Sequence, residues 1–404
     1  MKSGSVFIAA WVSLPILLGA ALSAHAQGRV VEIARGHSWV SPYWGYSSPK
    51  IVNDGNACYT AGLWGDEPDT SYGVLYKYDG VAWHEGAHLS DIYQPVTLAL
   101  DKQGRLLAAY TEQLQPVRIY RSKVPGNIQD LERLPGPPDM KNAYYIGFAV
   151  REEVLYLAYL VTPEYSMFLA TLNLASLEWT PSRLVCAGQV EHNPKTAWTY
   201  PILYPAEDGL HLVASNAPDG GEGNTYNQVW YLFYPHGAQE PSLRELVAET
   251  PMGHLSYALD FALDTDGTRH TLLLWNQRKY GDPLPPDSPP AGLYHAWRDD
   301  ASRSWPRSRL LPDGYGGFFV SKTGLTAVSA SNKTFVWQGP RGGWKDGGPL
   351  WQESQAPGPP GFFDVLSPAS GSDTRGGIAI VTDSVLATEK DQPAQRVLWA
   401  ILPE

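Results

Sequence analysis

Apolar and polar positions along this chain alternate in pairs of short runs rather than on helical faces. "YALDFALDTDGTRHTLLLWNQ", Tyr257 to Gln277, is two apolar-rich runs folded about the turn Asp264-Thr265-Asp266-Gly267. "PVTLALDKQGRLLAAYTE" (Pro95 to Glu112) repeats it, with Asp101 and Gly104 where Asp264 and Gly267 stand. Further copies run from Ser48 to Gly65 around Gly55, from Tyr200 to Asn216 around Gly209, and from Gly316 to Ser331 around Gly324. Tyr144 to Leu160 and Phe362 to Asp383 are weaker versions. A lone hairpin is marginal in water, so each copy needs neighbours to pack against.

A second hairpin follows each copy. Its first strand is aromatic-rich, as in "GVLYKYD", "QVWYLFY" and "TFVWQGP", and its second is often opened by Trp: Trp83, Trp179, Trp305, Trp344. Neighbouring turn glycines that can be aligned lie about 50 to 58 residues apart, the length of a four-stranded blade. Four strands seven times predict an all-β fold, a seven-bladed β-propeller; six blades or a two-domain β protein are the alternatives. The last copy stops after three strands, and "RVVEIAR" (Arg29 to Arg35) is a strand with no hairpin partner. It is expected to complete the last blade and close the ring, which removes both exposed edges.

The region before that strand has a different character. Lys2, the apolar run Val6 to Leu22, and Ser23-Ala24-His25-Ala26 have the order of a secretory signal peptide cleaved after Ala26. The expected organisation is a signal peptide over 1–26 and one propeller domain over 27–404, secreted or periplasmic. No later run is apolar and long enough to span a bilayer, so no membrane insertion is expected. The net charge of −11 argues against a nucleic-acid partner, whose phosphates demand a basic face. Cys58 and Cys186 fall in different expected blades, which disfavours a bond between them.

Some third-to-fourth turns carry a family likeness. "YKYDGVAWHEG" (Tyr76 to Gly86), with Asp79, Gly80 and Trp83, resembles a degenerate Asp-box of the BNR, sialidase-like propellers; Asp299, Asp300 and Trp305 stand similarly. The resemblance implies architecture, because the motif lies away from the active face in that family, and these residues are then structural. A sialidase itself needs three arginines converging on a carboxylate. No innermost strand here places an Arg centrally.

Aromatic residues make up 12 % of the chain, with 15 Trp and 23 Tyr. Many fall in segments that enter a blade's first strand, which share one rim of a propeller. His37, Trp39, Trp44, Tyr46, Tyr93, Tyr144, Trp198, His254 and Tyr257 form the candidate binding set. Flat rings beside hydrogen-bonding groups suit the mixed faces of a pyranose, so a carbohydrate ligand is expected. For chemistry, Asp260 stands mid-way along an innermost strand where other repeats have Thr97, Gly147, Ile202 and Gly317, and Asp91 is a possible second carboxylate for glycoside hydrolysis. A lyase would instead neutralise a uronate and remove the neighbouring proton, roles open to His192, Tyr200 and Arg278. No metal-ligand or cofactor-binding spacing is present, and no cofactor is expected. The alternative is a non-catalytic binding propeller, since fold alone does not decide between enzyme and scaffold.

Overall fold

A computed structural model describes residues 28–38, 49–112, 115–189, 196–218, 226–251, 254–278, 290–312, 314–321, 324–351, 360–374, 379–383 and 394–402. The expected signal segment, its cleavage point at Ala26, and Trp39, Trp44, Tyr46 and His192 lie outside the described residues. The described chain folds into seven sheets, each of four antiparallel strands in sequential order. The first strands are Ile51–Asn53, Thr97–Leu100, Ile146–Arg151, Ala197–Pro205, His254–Leu263, Gly316–Ser321 and Pro360–Val365, and we number the blades 1 to 7 from them. Each packs beside the first strand of the next blade. Blade 7 is joined to blade 1 by Lys50 N–H donating to Asp364 Oδ2 at 2.5 Å. The molecule is a seven-bladed propeller.

Blade 7 takes its fourth strand from the other end of the chain. Arg29–Ser38 pairs antiparallel with Ala394–Leu402, from Arg29 opposite Leu402 to Ser38 opposite Ala394. The expected closing strand is therefore present and runs three residues beyond Arg35. Seven clusters of buried apolar side chains correspond to the seven seams between blades. Tyr59, Leu98 and Tyr110 lie between blades 1 and 2, and Phe261, Trp275 and Tyr231 between blades 4 and 5. Period-2 alternation alone would bury one face, but a blade is covered on both, so inner strands such as Thr97–Leu100 are buried throughout.

Local chemistry fixes the turns. Asp101 Oδ1 accepts from Gln103 N and Arg105 N at 3.0 and 2.9 Å, and Gly104 takes φ 75° to close the first hairpin of blade 2. Between third and fourth strands, Asp79 accepts from Val81 N and Ala82 N, Asn173 from Ala175 N and Ser176 N, and Asp299 from Ala301 N. Cys58 and Cys186 are buried free thiols in blades 1 and 3. No helix among the described residues is long and apolar enough to cross a membrane.

Blade 7 departs from the pattern between its first two strands. Leu366 to Thr374 crosses the ring instead of turning tightly. Its short 3-10 turn, Pro368–Ser370, touches the first strands of blades 2, 3 and 4. Ser372 Oγ accepts from Asn53 N at 2.7 Å, Asp373 N–H donates to Asn53 O at 2.7 Å, and Thr374 Oγ1 donates to Val320 O at 3.1 Å. Gly371 lies so close to Leu100 O that a Cβ there would sit 2.3 Å away. The segment forms a floor across the channel, on the side of the tight turns.

Candidate functional site

The opposite face carries the connections into each first strand and those from second to third strands. We call it the mouth. Tyrosines from four blades and their connections form a continuous array there. Tyr93 lies 6.0 Å from Tyr144 between ring centres, Tyr144 lies 4.5 Å from Tyr145, and Tyr145 lies 4.5 Å from Tyr200. Tyr200 in turn meets Tyr257 edge-on at 5.3 Å, and Tyr257 meets Tyr226 at 5.9 Å. Tyr165 packs edge-on to Tyr144 at 5.8 Å. Tyr145, Tyr200, Tyr226 and Tyr257 are buried, whereas Tyr144, Tyr165 and Tyr315 are half-buried against the same cluster. Burial raises the hydroxyl pKa of Tyr144, Tyr145 and Tyr257, so they stand protonated at neutral pH.

Two members hold unusual backbone. Tyr200 has φ 48° and Tyr165 φ 54°, in the left-handed region that bulky residues avoid. Tyr200 sits where the pairing of Ala197–Pro205 with Gly209–Ala217 shifts between Thr199 and Ile202. A bulge of this kind re-aims one side chain without ending the strand. The Tyr200 hydroxyl donates to the Tyr145 hydroxyl at 3.3 Å. Strain of this kind persists only where the surrounding contacts over-determine the conformation.

The bulges also change where expected loop residues lie. Trp198, Tyr200, His254 and Tyr257 belong to first strands rather than to the loops entering them. Trp198 is buried, with its indole N–H on Ala187 O at 3.2 Å. His254 is buried and its Nδ1 has no hydrogen-bond partner among the described residues. It pairs in register with Arg278 across the first hairpin of blade 5. His37 is on the closing strand, 3.3 Å from Asp66, and both are exposed. The array thus joins Tyr93, Tyr144, Tyr200 and Tyr257 from the sequence set. Tyr145, Tyr165, Tyr226 and Tyr315 were not in that set, although each lies in the segment types that supplied it.

The two expected carboxylates occupy different levels. Asp91 is exposed at the mouth with φ 59°, accepts from Ser90 Oγ at 2.8 Å, and lies 3.7 Å from Arg118. Asp260 lies within the channel. Its Oδ1 accepts from Phe261 N at 2.7 Å and its Oδ2 from Phe318 N, in the first strand of blade 6, at 2.6 Å. Gly317 beside it makes room for Val365 of blade 7, whose Cγ2 would lie 2.6 Å from a Cβ there. Asp364 makes the equivalent link from blade 7 to blade 1 through Lys50 N, and the sequence alignment had not singled it out. Burial pushes the Asp260 carboxyl up to about 7, and the Asp364 charge adds to the shift. Burial likewise raises Asp364 to about 6, against the pull of the Lys50 ammonium. The carboxylate whose charge acts on Asp260 is therefore Asp364, not Asp91.

Other cavities lie elsewhere. A cleft of about 600 Å³ opens between blades 3 and 4, lined by Tyr156, Thr180, Arg183 and Tyr234. It is lined by the third-to-fourth turns, away from the tyrosine array. Among the described residues no group of three His, Cys, Asp or Glu could hold a metal ion.

No protein-family model and no curated protein sequence matches the chain. Solved structures do resemble it. An ulvan lyase of polysaccharide lyase family PL25, bound to -[GlcA(1-4)Rha3S]-, superposes with a TM-score of 0.64 at 11 % identity, over 93 % of this chain and 96 % of that one. A second PL25 ulvan lyase structure gives 0.63 at 12 % identity with the same coverage. The polysaccharide lyase Uly1 gives 0.58 at 10 % identity, over 94 % and 98 %. At such identity the likeness is one of fold, and it extends over nearly the whole of each chain.

Proposed function

We propose that this protein is a carbohydrate-active propeller that holds a polysaccharide on its tyrosine-lined mouth and cleaves it by elimination beside a uronate. The observation that carries the reading is the continuous tyrosine array with the strained Tyr200 at its centre. The half-buried rings of Tyr144, Tyr165 and Tyr315 supply the apolar platform for a pyranose, and hydroxyls at their edges supply direction. Elimination needs the uronate carboxylate neutralised, a base for the adjacent C–H proton, and a proton for the departing oxygen. Arg278 takes the first role. His254, opposite it in the ladder, takes the proton on its unpartnered Nδ1. Tyr200, whose hydroxyl donates to that of Tyr145, gives a proton to the leaving oxygen.

Glycoside hydrolysis fits less well, because it needs two carboxylates free to flank the bond. Asp260 and Asp364 commit oxygens to the backbone of the next blade. The full-length likeness to polysaccharide lyases supports the same choice. The leader over 1–26 supports export, and the side-chain-capped turns at Asp79 and Asp299 support the Asp-box affinity of the blades. The test is a panel of uronate-containing and neutral polysaccharides, reading ultraviolet absorbance of the unsaturated uronate and new reducing ends together. Both signals are expected on a uronate polymer. Reducing ends without unsaturation would mean hydrolysis, and binding without either signal would mean a scaffold.

A further inference from the structure

We propose that the seam between blades 5 and 6 is an acid-sensitive latch, closed while the His270 and His295 rings are both neutral and opened when either takes a second proton. Both side chains come from blade 5, from Arg269–Arg278 and Gly292–Trp297, and both are fully buried. Their rings stack at 5.1 Å, with His270 Nδ1 2.8 Å from His295 Nε2. Trp344 of blade 6 donates its indole N–H to His295 Nδ1 at 2.9 Å.

These contacts fix every proton. An indole N–H can only donate, so His295 Nδ1 is an acceptor and its proton sits on Nε2. That proton is donated to His270 Nδ1, so His270 carries its own proton on Nε2, the atom 4.0 Å from Asp264 Oδ2. The chain Trp344 to His295 to His270 therefore runs in one direction and has no vacant lone pair. A second proton on His295 would meet the Trp344 N–H, and one on His270 would meet the His295 N–H. The first sets donor against donor across the seam, and the second does so within blade 5, between the two rings.

The surroundings offer little relief. Trp297 stacks on His295, and Trp337, Trp344 and Phe318 of blade 6 present ring edges and faces to the pair. Among the described residues the charged groups that face it are Asp264 and Asp266, both in the first turn of blade 5. Asp260 lies beyond, bonded to the Phe318 amide on the channel side. Burial accordingly holds both imidazoles well below the usual histidine range, His270 at about 3. For a depressed base the sign is definite. The unfolded chain binds the extra protons first, so stability present above about pH 6.5 is lost progressively as the pH falls.

The consequence reaches the mouth, because blades 5 and 6 carry His254, Tyr257 and Tyr315. Opening this seam parts Tyr315 from Tyr257, which stays against Tyr200 and Tyr226, while the remaining seams keep their apolar packing. The latch itself does not depend on what the mouth binds.

A double variant, His270→Gln with His295→Gln, keeps an acceptor and a donor at each position and cannot titrate. Between pH 7 and pH 5 the full-length parent is expected to lose about 5 °C more in melting temperature than the variant. Hydrogen exchange at pH 5 should open the strands bearing His295 and Phe318 before those of blades 2 and 3. Parallel pH dependence in parent and variant would overturn the latch, as would uniform exchange across the seams. Should the variant not fold, imidazole nitrogen NMR of the parent decides. Two neutral rings protonated on Nε2 down to pH 5 support the latch, and titration of either near pH 6.5 defeats it.

Discussion

Tyr200 and Asp260 lie one blade apart and their surroundings assign them opposite duties. Tyr200 has a strained backbone and a hydroxyl engaged by another hydroxyl, and in the proposed elimination that hydroxyl gives up a proton. Tyr200→Phe keeps the ring contacts with Tyr145 and Tyr257. It is expected to lower kcat on a uronate polymer by about 10²-fold or more, with melting temperature nearly unchanged. Asp260 holds two backbone amides, one across a seam, and that is a clip. In Asp260→Asn the amide NH₂ would face the Phe318 N–H, so the variant should melt lower at pH 7 while keeping most of its turnover. The pH dependence has a definite sign. A carboxyl raised to about 7 stabilises the folded chain fully below about pH 4 and loses that contribution as the pH rises through 7. The melting-temperature gap between parent and variant should therefore widen as the pH is lowered from 7 to 4. Large loss of turnover without loss of stability would instead make Asp260 catalytic.

At the level of strands and turns, the sequence was most legible where each element repeats under the same physical demand. Inner strands alternate or run apolar, and turns need Asp with a left-handed Gly, so Asp101 with Gly104 and Asp264 with Gly267 mark hairpins unaided. The closing strand could be read because an unpartnered "RVVEIAR" and a three-stranded last copy solve each other. Deleting Arg29 to Arg35 removes most of the strand paired with Ala394–Leu402 and bares that edge. The deletion should turn a monomer into aggregates on sizing with light scattering, or lower the melting temperature by more than about 10 °C. What could not be read was set by contacts distant in sequence. Leu366 to Thr374 has the Ser, Gly and Asp of an ordinary long turn, and its role as a floor follows only from meeting Asn53, Leu100 and Val320. That irregular turn also hid Asp364, since no turn residue aligned it with Asp260. The bulge at Tyr200 is signalled only by Pro201, which cannot donate to the ladder, and the one at Tyr257 contains neither glycine nor proline to mark it.

For the molecule as a whole, the decisive quantity is charge. Its 41 acidic and 30 basic side chains give a net charge of −11, while the proposed substrate is a polyanion. Proteins that grip polyanions through a basic face bind less tightly as salt rises, because screening removes the attraction. On the proposed reading the long-range field opposes approach, and the grip comes from rings and hydroxyls at short range, which salt hardly affects. Shortening the Debye length from about 30 Å at 0.01 M salt to about 8 Å at 0.15 M should weaken the repulsion and leave the contacts intact. KM on a uronate polymer is therefore expected to fall severalfold across that range, with kcat nearly constant, and a neutral glycan bound at the same face should show no trend. Steady-state kinetics at a series of salt concentrations make the measurement. A KM that rises steeply with salt would show that local cations such as Arg278 govern binding, and the tyrosine platform would then be secondary.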